Sequence, residues 1–120
     1  MTEHYVGTKI IMAWSQAHAD GREGYTVKYE DGYTSWSPKD VFEAAYLPIG
    51  HVGHLASHIQ RVVGEKAQND DRALKLDAFL SSEKAVNLPA DAVGLMEDQL
   101  RLMRELSVVL GDRLALMGSD

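Results

Sequence analysis

Cysteine is absent from the 120-residue sequence, which excludes disulfides, thiolate metal sites and a thiol nucleophile. Positive charge is in the minority: 12 Lys and Arg stand against 18 Asp and Glu, a formal net charge of −6. Wrapping DNA or RNA relies on a broad basic surface, so this balance argues against it. One or two arginines in a pocket can still hold a small anion. No apolar run approaches a membrane span, and the N-terminus lacks a signal peptide's basic and apolar regions. A soluble, cytosolic protein is expected. Also missing are a glycine-rich phosphate loop, a nucleophile elbow and a metal-protease motif. The adjacent carboxylates Asp70-Asp71 and Glu97-Asp98 point in different directions on a helix, so neither forms a catalytic pair. No catalytic constellation emerges.

Apolar residues make up 45% of the chain, and they fall into two patterns. The first half reads as strands. Tyr5 to Trp14 is rich in β-branched and aromatic residues, Tyr25 to Tyr29 alternates rings with smaller side chains, and Tyr33 to Trp36 follows. Asp31-Gly32 between the last two runs predicts a tight hairpin with a type I′ turn. Ser15 to Gly24 reads as a loop. Ser37 is placed to cap a short helix, with Pro38 at its first position and Asp40 in its first turn. That helix should reach about Tyr46 and bury Val41, Phe42 and Ala45. The rings of Tyr25, Tyr29, Tyr33 and Trp36 suggest either an RNA-stacking sheet or cross-strand packing. Residues 1–50 carry four basic and seven acidic side chains, which favours packing.

Pro48-Ile49-Gly50 is a joint, and beyond it Leu, Ala, Arg and Glu take over. His51 to about Ser82 predicts one helix, with a polar stretch from Gln68 to Arg72. A second runs from Pro89 in its first turn to Met117, and Gly118 ends it. Its apolar residues from Leu95 to Met117 recur at three and four, giving a wide stripe. The chain is thus α+β: a small N-terminal antiparallel sheet with a short helix over 1–47, then a long antiparallel helical hairpin over 51–118. Helices of roughly 30 residues would be about 45 Å long and cover each other on one face only. The stripes are wider than a two-helix seam needs, so a second hairpin is the natural cover. Homo-oligomerisation follows from geometry; dimer or larger does not.

His51, His54 and His58 would share a face of the first helix. Without a nearby carboxylate or thiolate they read as a polar helix start rather than a zinc site. Arg101, Arg104 and Arg113 lie in or beside the apolar stripe of the second helix. Such arginines either snorkel and pair with a carboxylate such as Glu105, or grip a phosphate or stack on a base. Phe79 is either a core ring or a stacking platform.

Several blocks carry a resemblance. The first is Tyr5-Val6-Gly7-Thr8-Lys9-Ile10, then Glu23-Gly24-Tyr25-Thr26-Val27-Lys28-Tyr29 and Asp31-Gly32-Tyr33-Thr34-Ser35-Trp36-Ser37-Pro38-Lys39-Asp40-Val41-Phe42. The second half has Gln60-Arg61-Val62-Val63-Gly64-Glu65-Lys66, Lys75-Leu76-Asp77-Ala78-Phe79-Leu80, Asp98-Gln99-Leu100-Arg101-Leu102-Met103-Arg104-Glu105 and Val109-Leu110-Gly111-Asp112-Arg113. Together, over nearly the whole chain, these resemble the first family of Thoeris anti-defence proteins of phages. Their helical hairpin is shared with anti-CBASS sponges.

The resemblance implies a sponge in the cytoplasm of an infected bacterial host. It would hold a cyclic signalling nucleotide without cutting it and need no cofactor or metal. Glycocyclic ADP-ribose from Thoeris TIR enzymes is that family's defining ligand, and some relatives also hold cyclic di- or trinucleotides. Relatives form dimers that can assemble into hexamers, with the pocket between hairpins of paired subunits. By motif position, Phe79 is the ring against adenine and Arg104 a phosphate arginine. Asn87 is the polar side chain nearby, Arg61 is carried over from the first helix motif, and Arg113 serves either the ligand or an interface carboxylate. The segment before Glu23 is shorter here than in many relatives, a departure that falls on the loop over the pocket. Two other classes compete with the sponge: a phage structural or regulatory adaptor binding a host protein through its hairpin, and an enzyme that cleaves the signal.

Overall fold

The structure, a computed structural model, describes residues 2–118. The chain divides into two compact units, Met1–Leu47 and Pro48–Asp120. The first holds a three-stranded antiparallel sheet of order β1-β2-β3, with β1 Met12–Ser15, β2 Gly24–Lys28 and β3 Thr34–Pro38. A seven-residue helix, α1 Lys39–Ala45, packs on β2 and β3. The second unit is the helical hairpin: α2 Ser57–Leu80, a single turn α3 Glu83–Val86, and α4 Ala90–Leu116. The α+β architecture is therefore as the residue patterns imply. No helix among the described residues is long and apolar enough to cross a membrane.

The sheet departs from expectation at its edges. The β-rich run from Tyr5 is in no strand until Met12. Beyond Lys28, the residue opposite Met12, β2 gives way to a turn and offers no further ladder. That turn is longer than a type I′ pair. Gly32 N–H donates to the Tyr29 carbonyl at 2.9 Å, and Gly32 alone takes a positive φ (+88°), with Asp31 on the ordinary side. A type I turn followed by a left-handed glycine has this form.

α1 also starts one residue later than predicted. Pro38, at φ −58° and ψ 148°, is the capping residue, and no side chain caps the helix. Ser37 Oγ instead lies 3.4 Å from the Pro38 carbonyl. Val41 is 61% exposed and Ala45 is exposed too, so Phe42 carries the packing. It stacks between Tyr25 (centroids 4.3 Å apart) and Tyr46 (5.0 Å). The aromatic packing is thus mostly sheet-to-helix. Tyr29 and Tyr33 do stack across the turn at 6.1 Å, while Trp36 meets His18 from the loop at 4.7 Å.

In the hairpin, α2 begins at Ser57, not His51. Gly50 sits at φ +81° and Gly53 follows, and residues 51–56 form turns closed by Leu55 N–H to the Val52 carbonyl at 2.9 Å. Glycine weakens helical backbone, so the helix waits until it is passed. His51 and His54 therefore share no helical face with His58, and the described residues hold no cluster of metal-ligating side chains. The connection Glu83 to Leu88 is no plain loop, since α3 fills most of it. Ser82 Oγ donates to the Phe79 carbonyl at 2.6 Å and finishes α2. Pro89 is the capping residue of α4 rather than part of its first turn. At about 36 and 40 Å, the two helices are close to the predicted length. Val62, Leu100 and Leu110 are buried between them, joined by Asn69.

Candidate functional site

Cross-helix contacts define which side of the hairpin each residue occupies. On α2, Lys66, Asp70 and Asp77 follow one flank; on α4, Arg104, Ser107 and Gly111 follow the flank that meets it. Lys66 Nζ lies 2.8 Å from Asp70 Oδ2, and the Lys66 stem passes over Gly111. The hydrogen bond from Lys66 holds the Asp70 carboxyl below its ordinary value, and a second from Ser107 adds to it. Arg104 Nη2 reaches Asp77 Oδ2 at 3.4 Å. Arg104 thus pairs across the seam rather than with Glu105. Glu105 instead meets Arg101 at 3.6 Å, and Asp98 lies at the same distance from that guanidinium.

The opposite side of the hairpin carries different chemistry. At about 100° per residue, Phe79 lies about 160° around α2 from Asp77. Arg72 and Arg61 share its flank, at seven and eighteen residues before it, so Arg61 stands about 27 Å along the helix from the ring. On α4, the face turned away from Arg104 presents Leu95, Leu102, Leu106, Val109 and Leu116, with Gln99 and Arg113 interspersed at the same angle. Leu95 is 70% exposed, Leu102 54% and Val109 53%. A depression of about 480 Å³ lies along this helix, with Leu95, Leu102, Met103 and Leu106 among its walls and Gln99 and Arg101 at its rim. The stripe predicted on α4 is therefore double: one half packs on α2 and the other remains open.

Of the residues singled out in the sequence, Phe79, Arg61 and Arg113 come to one side of the hairpin. Arg104 lies on the other. Asn87 ends α3, exposed, at φ −89° and ψ 1°. Two residues with evident bearing on charge were not singled out. Asp77 holds Arg104, and its place across the seam depends on helix register that no local motif reveals. Arg72 could have been found, since it stands seven residues from Phe79 and two helical turns return to the same face.

The first unit holds a smaller polar cleft of about 300 Å³, with Tyr25, Glu43, Glu23 and Lys39 among its walls. Tyr25 OH donates to Glu43 Oε2 at 2.7 Å, which raises the phenol above its usual value. The loop before β2 is ordered by its own contacts. Asp20 accepts from the Arg22 main chain at 3.1 Å and from Arg22 Nε at 2.8 Å, and the guanidinium lies 5.2 Å from the Trp36 ring.

No curated protein and no solved structure matches the chain. A family model described as Sequestin matches residues 56–116, a span that runs from the residue before α2 to the end of α4.

Proposed function

The chain belongs to the Sequestin family, and from that premise we propose that it is a phage immune-evasion sponge that binds a cyclic signalling nucleotide and keeps it intact. The family's name speaks of sequestration, and its match covers the hairpin, the part that carries Phe79 and the arginines. Glycocyclic ADP-ribose is the ligand we assign, on the resemblance to Thoeris anti-defence proteins, with cyclic di- and trinucleotides as further candidates. The protein acts by holding, so it is not an enzyme and no catalytic group is assigned.

The observation that carries the reading is the open α4 stripe beside Phe79. An apolar face of this extent needs a cover, and a second hairpin offers a matching one. Covering it would enclose the Phe79 ring in a dry, preformed site between rigid helices. Phe79 and Arg104 lie on opposite flanks of one hairpin, so a ligand touching both takes the ring from one copy and the guanidinium from another. On this reading self-association builds the pocket. Dimers, and hexamers made from them, satisfy that requirement. A stacked base with arginines on its phosphates can reach nanomolar affinity, about 12 kcal/mol, when the site is preformed. By the resemblance Asn87, at the end of α3, is the polar group set beside the base, and Arg61 and Arg113 supply charge along the face that carries Phe79.

The test is to incubate the protein with glycocyclic ADP-ribose, remove it, heat it and analyse what is released. Intact ligand recovered after heating is the expected result. Degraded ligand would make the protein an enzyme. If neither this ligand nor any cyclic di- or trinucleotide leaves solution, the reading fails and a hairpin adaptor for a host protein takes its place.

A further inference from the structure

Most cations of the hairpin helices are spoken for. Lys66 pairs with Asp70, Lys75 with Asp71, Arg101 with Asp98 and Glu105, and Arg104 with Asp77. Among the described residues of α2 and α4, no carboxylate lies within 4.0 Å of the arginines at 61, 72 and 113. In a chain with six more acids than bases, that is an uneven distribution. All three occupy the side of the hairpin that carries Phe79. Arg72 is the one nearest the ring along α2: seven residues place it two turns away, about 10.5 Å along the axis and within about 20° around it. The carboxylates nearest in sequence do not compete. Asp71 is engaged by Lys75 at 2.9 Å, Asp70 and Asp77 face the other flank, and Glu65 stands two turns further back.

An exposed arginine with no partner, one nucleoside length from an aromatic ring on the same rigid helix, suits one chemical class: a planar base joined to a phosphate. The ring would take the base face, and the guanidinium, with its fork of donors, would take the phosphate oxygens. We infer that Arg72 is a phosphate-binding residue of the Phe79 site, contributed by the same chain as the ring. This rests on the sponge reading above and deepens it. Base and phosphate of one ligand would be gripped in cis by α2, and Arg104 of a second copy would close the site from the other direction.

Titration calorimetry with glycocyclic ADP-ribose on the full chain tests it, using Arg72→Ala, Arg72→Lys and, as the site control, Phe79→Ala. Loss of one charge-assisted contact should weaken binding about tenfold or more in Arg72→Ala. Arg72→Lys should recover part of the loss, and Arg72→Ala should bind with a shallower dependence on salt than the wild type. Unchanged helical circular dichroism and unchanged oligomer mass separate this from a structural defect. Wild-type affinity in Arg72→Ala alongside weakened binding in Phe79→Ala would overturn the inference and leave the sponge reading standing. If the wild-type chain binds no cyclic nucleotide at all, the sponge reading falls and the assignment of Arg72 falls with it.

Discussion

Asn69 Nδ2 donates to the main-chain oxygen of Met103 at 2.7 Å, across the seam between α2 and α4. Asn69 is the buried polar residue of the hairpin, flanked by the apolar contacts of Val62, Leu100 and Leu110. The Met103 carbonyl sits mid-helix, where the Ser107 N–H is its normal partner, so the amide supplies a second bond rather than rescuing an orphan. Asn69→Ala removes that bond and opens a void, and should cost about 1–2 kcal/mol in urea unfolding. Asn69→Leu fills the space and leaves the carbonyl satisfied, so it should cost far less. Equal losses in the two variants would contradict this account.

That residue also shows how far the sequence could be read. Apolar spacing placed both long helices and their wide stripes, because burial in a hairpin selects one residue in three or four and the pattern survives in one dimension. The stretch Gln68 to Arg72 is polar throughout and carries no apolar signal. It contains a seam residue because Asn69 is satisfied by an atom 34 residues away, and periodicity of apolar residues cannot register such a partner. The same limit hid Asp77 behind Arg104. At the helix start the error was local: His51 and His54 lie beside Gly50 and Gly53, whose backbone preference outweighed the apparent i, i+3, i+7 spacing.

Gly24 shows a constraint of another kind. It is buried at the start of β2, opposite Pro38, and a Cβ there would collide with the Trp36 ring and the Ser37 carbonyl. Gly24→Ala should destabilise the sheet unit by about 1–3 kcal/mol through overpacking. Trp14 and Trp36, the chain's two tryptophans, both lie in that unit. The fluorescence unfolding midpoint should therefore drop while the helical signal of the hairpin is retained. A fluorescence midpoint equal to wild type would show that the strand can shift to admit the methyl.

The Lys66–Asp70 pair gives the hairpin a pH dependence of defined sign. Asp70 is held below its ordinary value, first by Lys66 and then by Ser107. A carboxyl depressed in the folded state contributes stability that is complete above its unfolded value, about 3.9, and is lost as pH falls through the folded value. Both partners are partly solvated, at 32% and 43% exposure, so the contribution should stay below about 1 kcal/mol. Thermal midpoints of the wild type should fall more steeply than those of Asp70→Asn below about pH 4. Parallel curves would remove Asp70 from the balance.

The open stripe on α4 predicts a separable effect on assembly. Leu95 and Leu102 lie on it two turns apart, 70% and 54% exposed. A carboxylate there costs little in an isolated hairpin but is desolvated against a partner. Leu95→Glu and Leu102→Glu should each weaken self-association at least about tenfold, with helical content unchanged. Sedimentation velocity reads the mass. An unchanged oligomer would place the interface on another face.

The opposite flanks of Phe79 and Arg104 allow the shared pocket to be tested by complementation. Phe79→Ala and Arg104→Ala should each abolish tight nucleotide binding alone. When the two variants are refolded together in equal amounts, a site built from two copies regains function wherever a chain with an intact ring meets a chain with an intact arginine. Random assembly makes that about one quarter of the sites, whatever the symmetry of the oligomer. Calorimetry of the mixture should then show wild-type affinity at about a quarter of the wild-type stoichiometry. A site formed within one chain would gain nothing from mixing, because each chain still lacks one of its two groups. Recovery at reduced stoichiometry therefore distinguishes the two arrangements without knowledge of the oligomer's order, and a mixture as inactive as its components would end the case for a pocket shared between copies.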